Sequence, residues 1–300
     1  MSDLTDKSHN SSQCHSLSGV ALVTLSVLMW SSVGIFVRHL QMDVWSMVAW
    51  RSFFATLTLA VVLLFWRNSK WFPQKIRLGW REIITAIVMS LSMFCYIAAL
   101  KVTTVAGVMT IYATTPFITL GLGWVFLRER LTAMAAFCSL ASLAGVFVMT
   151  GSSSSRGDMA GYLLAFLMAL GFAGSIVLAK KWPDMNLPGV TSVACLICMI
   201  ICFIKSPADA PIPDLSDMLW LFAFSMATQS LSYLLYLGGS RFIPATLAGL
   251  IGQLDLLLAP LWVWIVFDET PPSSTLLGGA VTFTAVITYL ATAAVRARRV

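Results

Sequence analysis

Gly151-Ser152-Ser153-Ser154-Ser155-Arg156-Gly157 is a short polar linker almost at the midpoint of this 300-residue chain. Five apolar runs precede it and five follow. Hydrophobic residues make up 58% of the chain and charged residues only 11%, a composition that cannot cover a soluble surface. A helix rising ~1.5 Å per residue needs about 20 apolar residues to cross a bilayer core. That length places spans near 17–37, 44–66, 83–100, 104–127 and 131–150, then 158–179, 188–204, 216–238, 243–267 and 273–295. The expected fold is an all-α polytopic membrane protein of ten transmembrane helices, arranged as two inverted five-helix repeats. Its parts are a cytoplasmic tail (1–16), a first repeat (17–150), the linker (151–157), a second repeat (158–295) and a basic tail (296–300). Such halves rock against one another around a central site, so the layout points to transport before any motif is read. The tail, rich in Ser, Asn and Asp, is expected to be unstructured. Lys7 before an apolar run suggests a signal peptide, but 17–37 is too long and has no small-residue cleavage pattern.

Basic residues orient the chain. With the N-terminus inside, 14 Lys and Arg fall at cytoplasmic span ends and four (Arg38, Lys101, Arg156, Lys205) on the other face, with Arg51 inside a span. Both termini are therefore expected in the cytoplasm, in a bacterial inner membrane. The net charge of +6 reads as topology and attraction to anionic lipid, not as nucleic-acid binding.

Shifted by about 140 residues, the halves partly superimpose: Tyr96 falls on Tyr236, Lys101 on Arg241, Thr115 on Asp255 and Glu129 on Glu269. Five spans is an odd number, so the second copy enters the membrane upside down. Glu129 is then expected at the cytoplasmic face and Glu269 outside.

Trp30-Ser31-Ser32 in the first span, Thr115-Pro116 in the fourth and Arg128-Glu129-Arg130-Leu131-Thr132 at its end resemble the drug/metabolite transporter superfamily, in its ten-span EamA-like branch. Asp255-Leu256-Leu257-Leu258-Ala259-Pro260-Leu261-Trp262 through Asp268-Glu269 is similar to the matching segment of the second half. Two departures stand out. The family commonly carries an acid-proline pair where this chain has Asp255-Leu256, and Gly-Glu where it has Asp268-Glu269. The resemblance implies a carrier of small polar or amphipathic metabolites, with spans 1–4 and 6–9 around a cavity and spans 5 and 10 peripheral.

Arg51 and Asp255 are ionisable residues inside spans, where a charge costs at least ~2.5 kcal/mol. Counted from Val44 inward, Arg51 is ~10 Å deep. Counted along a continuous ninth span, Asp255 is ~12 Å from the outside. A shared polar site, a structural ion pair and a snorkelling arginine all fit. Neutral candidates for the lining are Trp30, Ser31, Ser32, Tyr96, Thr110, Tyr112, Thr114, Thr115, Gln229, Tyr233, Tyr236 and Gln253; helix-to-helix hydrogen bonding competes with ligand contact for each. Pro116 and Pro260 interrupt helices in equivalent spans and are gating candidates, against static bends. Trp45, Trp66, Trp71 and Trp80 suit interface anchoring.

Enzyme chemistry finds little support. Cys195-Leu196-Ile197-Cys198 has CxxC spacing but lies inside an apolar span, His9, His15 and His39 form no zinc set, and no phosphate-cradling loop occurs. No cofactor or metal is expected. The expected function is secondary active transport by alternating access, as an exporter of a metabolite such as an amino acid or derivative. An importer or exchanger of riboflavin-, nucleoside- or sulfonium-type cargo is the alternative, a membrane-embedded enzyme or sensor the remote one. The expected partners are a small-molecule substrate and membrane lipid, with proton coupling and a homodimer left open.

Overall fold

A computed structural model describes residues 3–65, 79–128, 133–151, 156–209, 211–240, 242–243, 251–252 and 254–297. Among the described residues the chain is all helix, with no strand. The helices are α1 (Asp3–Ser31), α2 (Val33–His39), α3 (Val44–Phe65), α4 (Trp80–Val102), α5 (Val105–Tyr112), α6 (Thr115–Leu127) and α7 (Ala133–Gly151) before the linker. After it come α8 (Arg156–Lys181), α9 (Leu187–Lys205), α10 (Leu215–Ser225), a π-helical turn (Met226–Ser230), α11 (Leu231–Gly239), α12 (Asp255–Phe267) and α13 (Ser273–Ala297). Among the described residues seven continuous or nearly continuous helical stretches are long and apolar enough to cross a membrane, and three shorter apolar ones lie at Ala136–Val148, Asp255–Phe267 and Ser273–Tyr289. Glu129, Arg241, Gly249, Gln253, Trp66 and Trp71 lie outside the described residues.

Most boundaries fall within three residues of expectation. The tail differs: α1 runs back to Asp3 instead of starting at Leu17. A nucleated helix extends cheaply. The first and fourth spans also differ, because each is broken. Ser31 and Ser32 turn their hydroxyls back onto the carbonyls of Leu28 (2.9 Å) and Met29 (2.6 Å), a habit that bends helices, and α1 gives way to α2 there. In the fourth span Pro116 has no N–H for the carbonyl of Tyr112; the hydroxyl of Thr115 donates to that carbonyl instead, and the break falls between α5 and α6.

Two elements repeat in fine detail. α6 and α12 both have 13 residues, start at Thr115 and Asp255, and end on the left-handed residues Arg128 (φ 56°) and Asp268 (φ 53°). Each start and each end is separated by the 140-residue offset of the sequence match. The main packing pairs also map onto one another when the halves are exchanged. α4 on α8 corresponds to α11 on α1, α4 on α9 to α10 on α3, and α6 on α8 to α12 on α1. The halves therefore interleave instead of lying side by side. α7 packs chiefly on α13.

Small residues permit the close crossings. A β-carbon on Gly161 of α8 would stand 2.5 Å from Cβ of Thr103, and one on Gly171 would stand 3.0 Å from Cβ of Ser92. Ser92 of α4 donates to the carbonyl of Met168 (2.8 Å) in the same seam. Buried side chains from α2, α3, α4, α5, α10 and α12 meet in one core, Leu40, Met47, Ile97, Val108, Phe224 and Val263 among them. Phe137, Leu140 and Phe147 of α7 stay exposed, as a surface in contact with lipid tails requires.

Candidate substrate-binding site

Arg51 lies two turns into α3 and is buried. Its Nε and Nη2 donate to Oγ1 of Thr228 (3.3 and 3.1 Å), and the guanidinium stacks 4.7 Å from the ring centre of Phe224. Thr228 passes its own proton to the carbonyl of Phe224 (2.8 Å). Among the described residues the Arg51 guanidinium is partnered by a hydroxyl and an aromatic face, and of the three alternatives the structural Arg51–Asp255 ion pair is not formed. The acceptor comes from the π-helical turn, a wide turn that a one-residue excess inserts into a helix and that recurs at functional sites. Gln229, next along the turn, is buried; its Nε2 donates to the sulfurs of Cys195 (2.9 Å) and Met93 (3.3 Å), leaving Oε1 without a partner. Ser230 closes the turn onto Thr58 of α3 (2.6 Å).

Asp255 opens α12, and its carboxylate sits in the positive first turn of a helix that begins inside the membrane thickness. Its Oδ1 is buried with no hydrogen-bond partner. Counted back from Phe267, Asp255 lies twelve residues, ~18 Å, along α12. Tyr96 of α4 has both Asp255 and Arg51 among its electrostatic neighbours. Tyr112, at the end of α5, has Asp255 and Tyr236 as electrostatic neighbours, and Tyr236 packs on Trp30 in a tilted pair with ring centres 5.2 Å apart. Tyr233 is directed instead toward Thr191 and Cys195.

The hydroxyl candidates divide. Ser32, Thr110, Thr114 and Thr115 all donate to carbonyls three or four residues back, which leaves them lone pairs but no free proton. Ser31 donates in the same way and accepts from Nε1 of Trp262 (2.8 Å), tying the first break to α12. The prolines are not equivalent in detail. Pro116 occupies the first turn of α6, where a missing N–H breaks no bond within that helix, whereas Pro260 lies inside α12 and removes a helical bond. Cys95, Cys138, Cys195, Cys198 and Cys202 are free and buried.

A second cluster escaped the sequence reading. Arg38 at the end of α2 pairs with Glu269 just beyond α12, Nε to Oε2 at 2.7 Å and Nη2 to Oε1 at 3.1 Å. Arg38 also donates to the carbonyls of Leu100 (2.9 Å) and Thr103 (2.8 Å), and Glu269 accepts from the backbone N–H of Val105 (3.3 Å). Lys101 donates to the carbonyl of Leu40 (2.6 Å) beside them. One clasp thus closes the ends of α2, α4 and α12 and the start of α5. The signal available was two opposite charges, Arg38 and Glu269, assigned to one face; their partners could not be read because 231 residues separate them.

A cavity of about 400 Å³ follows α6 from Tyr112 and Thr115 to Leu127 and Lys180, away from the clasp. Tyr112 belongs both to it and to the surroundings of Asp255. Toward the clasp, an apolar groove of about 580 Å³ lies between α5, α12 and α13. Among the described residues no three His, Cys, Asp or Glu gather as metal ligands.

Known proteins agree with this architecture. An uncharacterized transporter from Archaeoglobus fulgidus is 24% identical over 277 residues, covering 90% of this chain and 95% of that protein. A solved structure described only as "Crystal structure of protein" shares the fold at a TM-score of 0.64 and 18% identity, covering 94% of this chain and 98% of its own. The model of the EamA-like transporter family matches residues 17–151 and again 159–291. With both halves matched separately and most of the chain covered, this protein belongs to the EamA-like transporter family.

Proposed function

We propose that the chain is a ten-span secondary carrier that exports a small polar or amphipathic metabolite, such as an amino acid or derivative, across a bacterial inner membrane. Membership of the family carries membrane transport, and not enzyme turnover, as the general function. In the finer reading, residues 17–150 and 158–295 are inverted repeats, both termini are cytoplasmic, and the cargo binds among Trp30, Arg51, Tyr96, Tyr112, Gln229 and Asp255. Ser32, Thr115 and Tyr233 border that site, and Pro116 at the break between α5 and α6 and Pro260 inside α12 are where the half-helices move.

One observation carries the proposal. The face holding Arg38 and Glu269 is clasped, while the cavity along α6 runs from the level of Thr115 toward Lys180 on the other face. Closed on one side and hollow toward the other is one end of an alternating-access cycle. With the hollow side cytoplasmic, cargo enters from within and leaves when the clasp opens.

The test is solute flux in liposomes containing the purified protein. Gradient-driven uptake that saturates supports the carrier, and chemical turnover of a substrate without flux overturns it. Proton coupling has its own readout: wild-type flux should follow an imposed proton gradient, and residual exchange by Asp255→Asn should not. Equal proton dependence in both proteins removes Asp255 from the coupling step.

A further inference from the structure

Trp80 opens α4 and Lys181 closes α8, so both stand at the end of a stretch long and apolar enough to span, at the depth of lipid headgroups. The two helices pack along one seam, and their adjoining ends carry a cluster that takes no part in the clasp or the buried site. The rings of Trp80 and Trp182 meet edge to face with centres 5.3 Å apart. Cζ of Arg81 lies 5.6 Å from the centre of the first ring and 5.7 Å from that of the second, and Nζ of Lys181 lies 5.9 Å from the centre of Trp182. Two cations thus rest on one pair of indoles.

The floor under them is fixed by packing. Trp182 lies against the buried cluster of Ala86, Met185, Val190 and Ala194, and Thr85 donates to the sulfur of Met185 (3.6 Å), which ties the residues after α8 to the first turns of α4. Arg81 and Lys181 are themselves exposed. Among the described residues neither side chain donates a hydrogen bond. Glu82 turns back to the N–H of Gly79 (3.0 Å), and Asp184, the other acid close by in sequence, pairs with neither cation. Residues 66–79 add Arg67, Lys70, Lys75 and Arg77 to this end of the chain, and no acid.

A forked guanidinium held on ring faces, with its N–H groups unused and a second cation beside it, is the complement of a phosphodiester of net negative charge. A zwitterionic headgroup brings its own cation to the same place and gains less. We propose that Trp80, Arg81, Lys181 and Trp182 form a docking site for the headgroup of an acidic phospholipid. Arg81 donates to the phosphate oxygens, Lys181 supplies the second charge, and the indoles border the upper part of the acyl chains. The site stands apart from the choice of cargo and from the direction of transport.

Competition between lipids tests it. The purified full-length protein is equilibrated in detergent micelles with equal amounts of phosphatidylglycerol and phosphatidylcholine, and the lipid it retains is counted by native mass spectrometry. The wild type should retain phosphatidylglycerol over phosphatidylcholine by about tenfold or more. Arg81→Gln and, on the other helix, Lys181→Gln should each cut that preference by about fivefold, while Arg81→Lys, which keeps the charge and loses the fork, should cut it less. Lys205→Gln removes an exposed cation from the far end of α9 and should leave it unchanged. Melting temperatures in phosphatidylcholine alone show that each variant is folded. Equal retention of the two lipids by the wild type, a preference that survives both Arg81→Gln and Lys181→Gln, or an equal drop in Lys205→Gln would overturn the proposal. Displacement of the lipid by millimolar inorganic phosphate would also overturn it, by making the site one for the free anion.

Discussion

Arg51 keeps its charge in a membrane-spanning helix without a carboxylate beside it, because one hydroxyl and one phenyl face share the work. Replacing it by Gln removes the stacked cation and at least one of two hydrogen bonds in a buried setting. Arg51→Gln should therefore lower the folded yield and stability by about 1–3 kcal/mol, read as the monodisperse fraction on gel filtration and as a lower melting temperature. Normal yield and melting with flux lost would instead make Arg51 a direct cargo contact. Thr115 offers a finer test. Its hydroxyl satisfies the Tyr112 carbonyl that Pro116 cannot, so Thr115→Val, equal in shape, should cost about 1–3 kcal/mol. An unchanged melting temperature would mean that the backbone repairs the break by itself. The identities of these residues were legible in the sequence: Arg51, Asp255 and the aromatic and amide candidates stood out against apolar runs. Their partners were not. A hydrogen bond from residue 51 to residue 228 depends on how α3 meets the π-helical turn, and neither helix records the other in its own pattern.

At the scale of the element, the π-helical turn is the feature periodicity could not reveal. One extra residue in an apolar helix leaves composition and length nearly unchanged, yet it turns Thr228, Gln229 and Ser230 together toward α3, α4 and α9. Deleting Ala227 should restore ordinary helix, keep the flanking residues in register and turn the residues of the π-helical turn away from their present partners. The variant should insert normally but lose most flux, measured as membrane-fraction abundance against liposome uptake; wild-type flux would remove the turn from the mechanism. The breaks at Ser31–Ser32 and Thr114–Thr115 were half visible. Pro116 marked the second, but only the structure shows that hydroxyl groups hold the freed carbonyls. Close crossings obey the same logic. Gly161→Val should cost about 1–3 kcal/mol because its β-carbon would overlap Thr103, whereas Gly121→Ala, with open space around it, should be tolerated. Melting temperatures of the two variants, side by side, check the contrast.

For the whole molecule, the order of the ten runs and the equivalence of the halves were read from hydropathy and a 140-residue offset, and the matched packing pairs and matched α6 and α12 bear the repeat out. How the halves interleave was not legible, since small residues such as Gly161 show their purpose only against the partner they admit. The basic bias predicts that reporters fused after Val300 and within residues 67–81 read cytoplasmic, and that a reporter near Ala208 reads external. A reversed pattern would invert the direction of transport drawn from the clasp. The clasp can be tested in a cysteine-free chain: linking Arg38→Cys to Glu269→Cys with a short bifunctional thiol reagent should abolish flux, and reductant should restore it. Unimpeded flux while linked would show that this face never opens. The twin left-handed residues have a wider consequence. Arg128 and Asp268 each hold a backbone shape that glycine adopts freely and that costs other residues about 1–2 kcal/mol. Neither position is glycine, so the two halves match in local strain as well as in side chains. Mutational tolerance should rise in pairs along the chain, with permissive sites in one half forecasting those in the other.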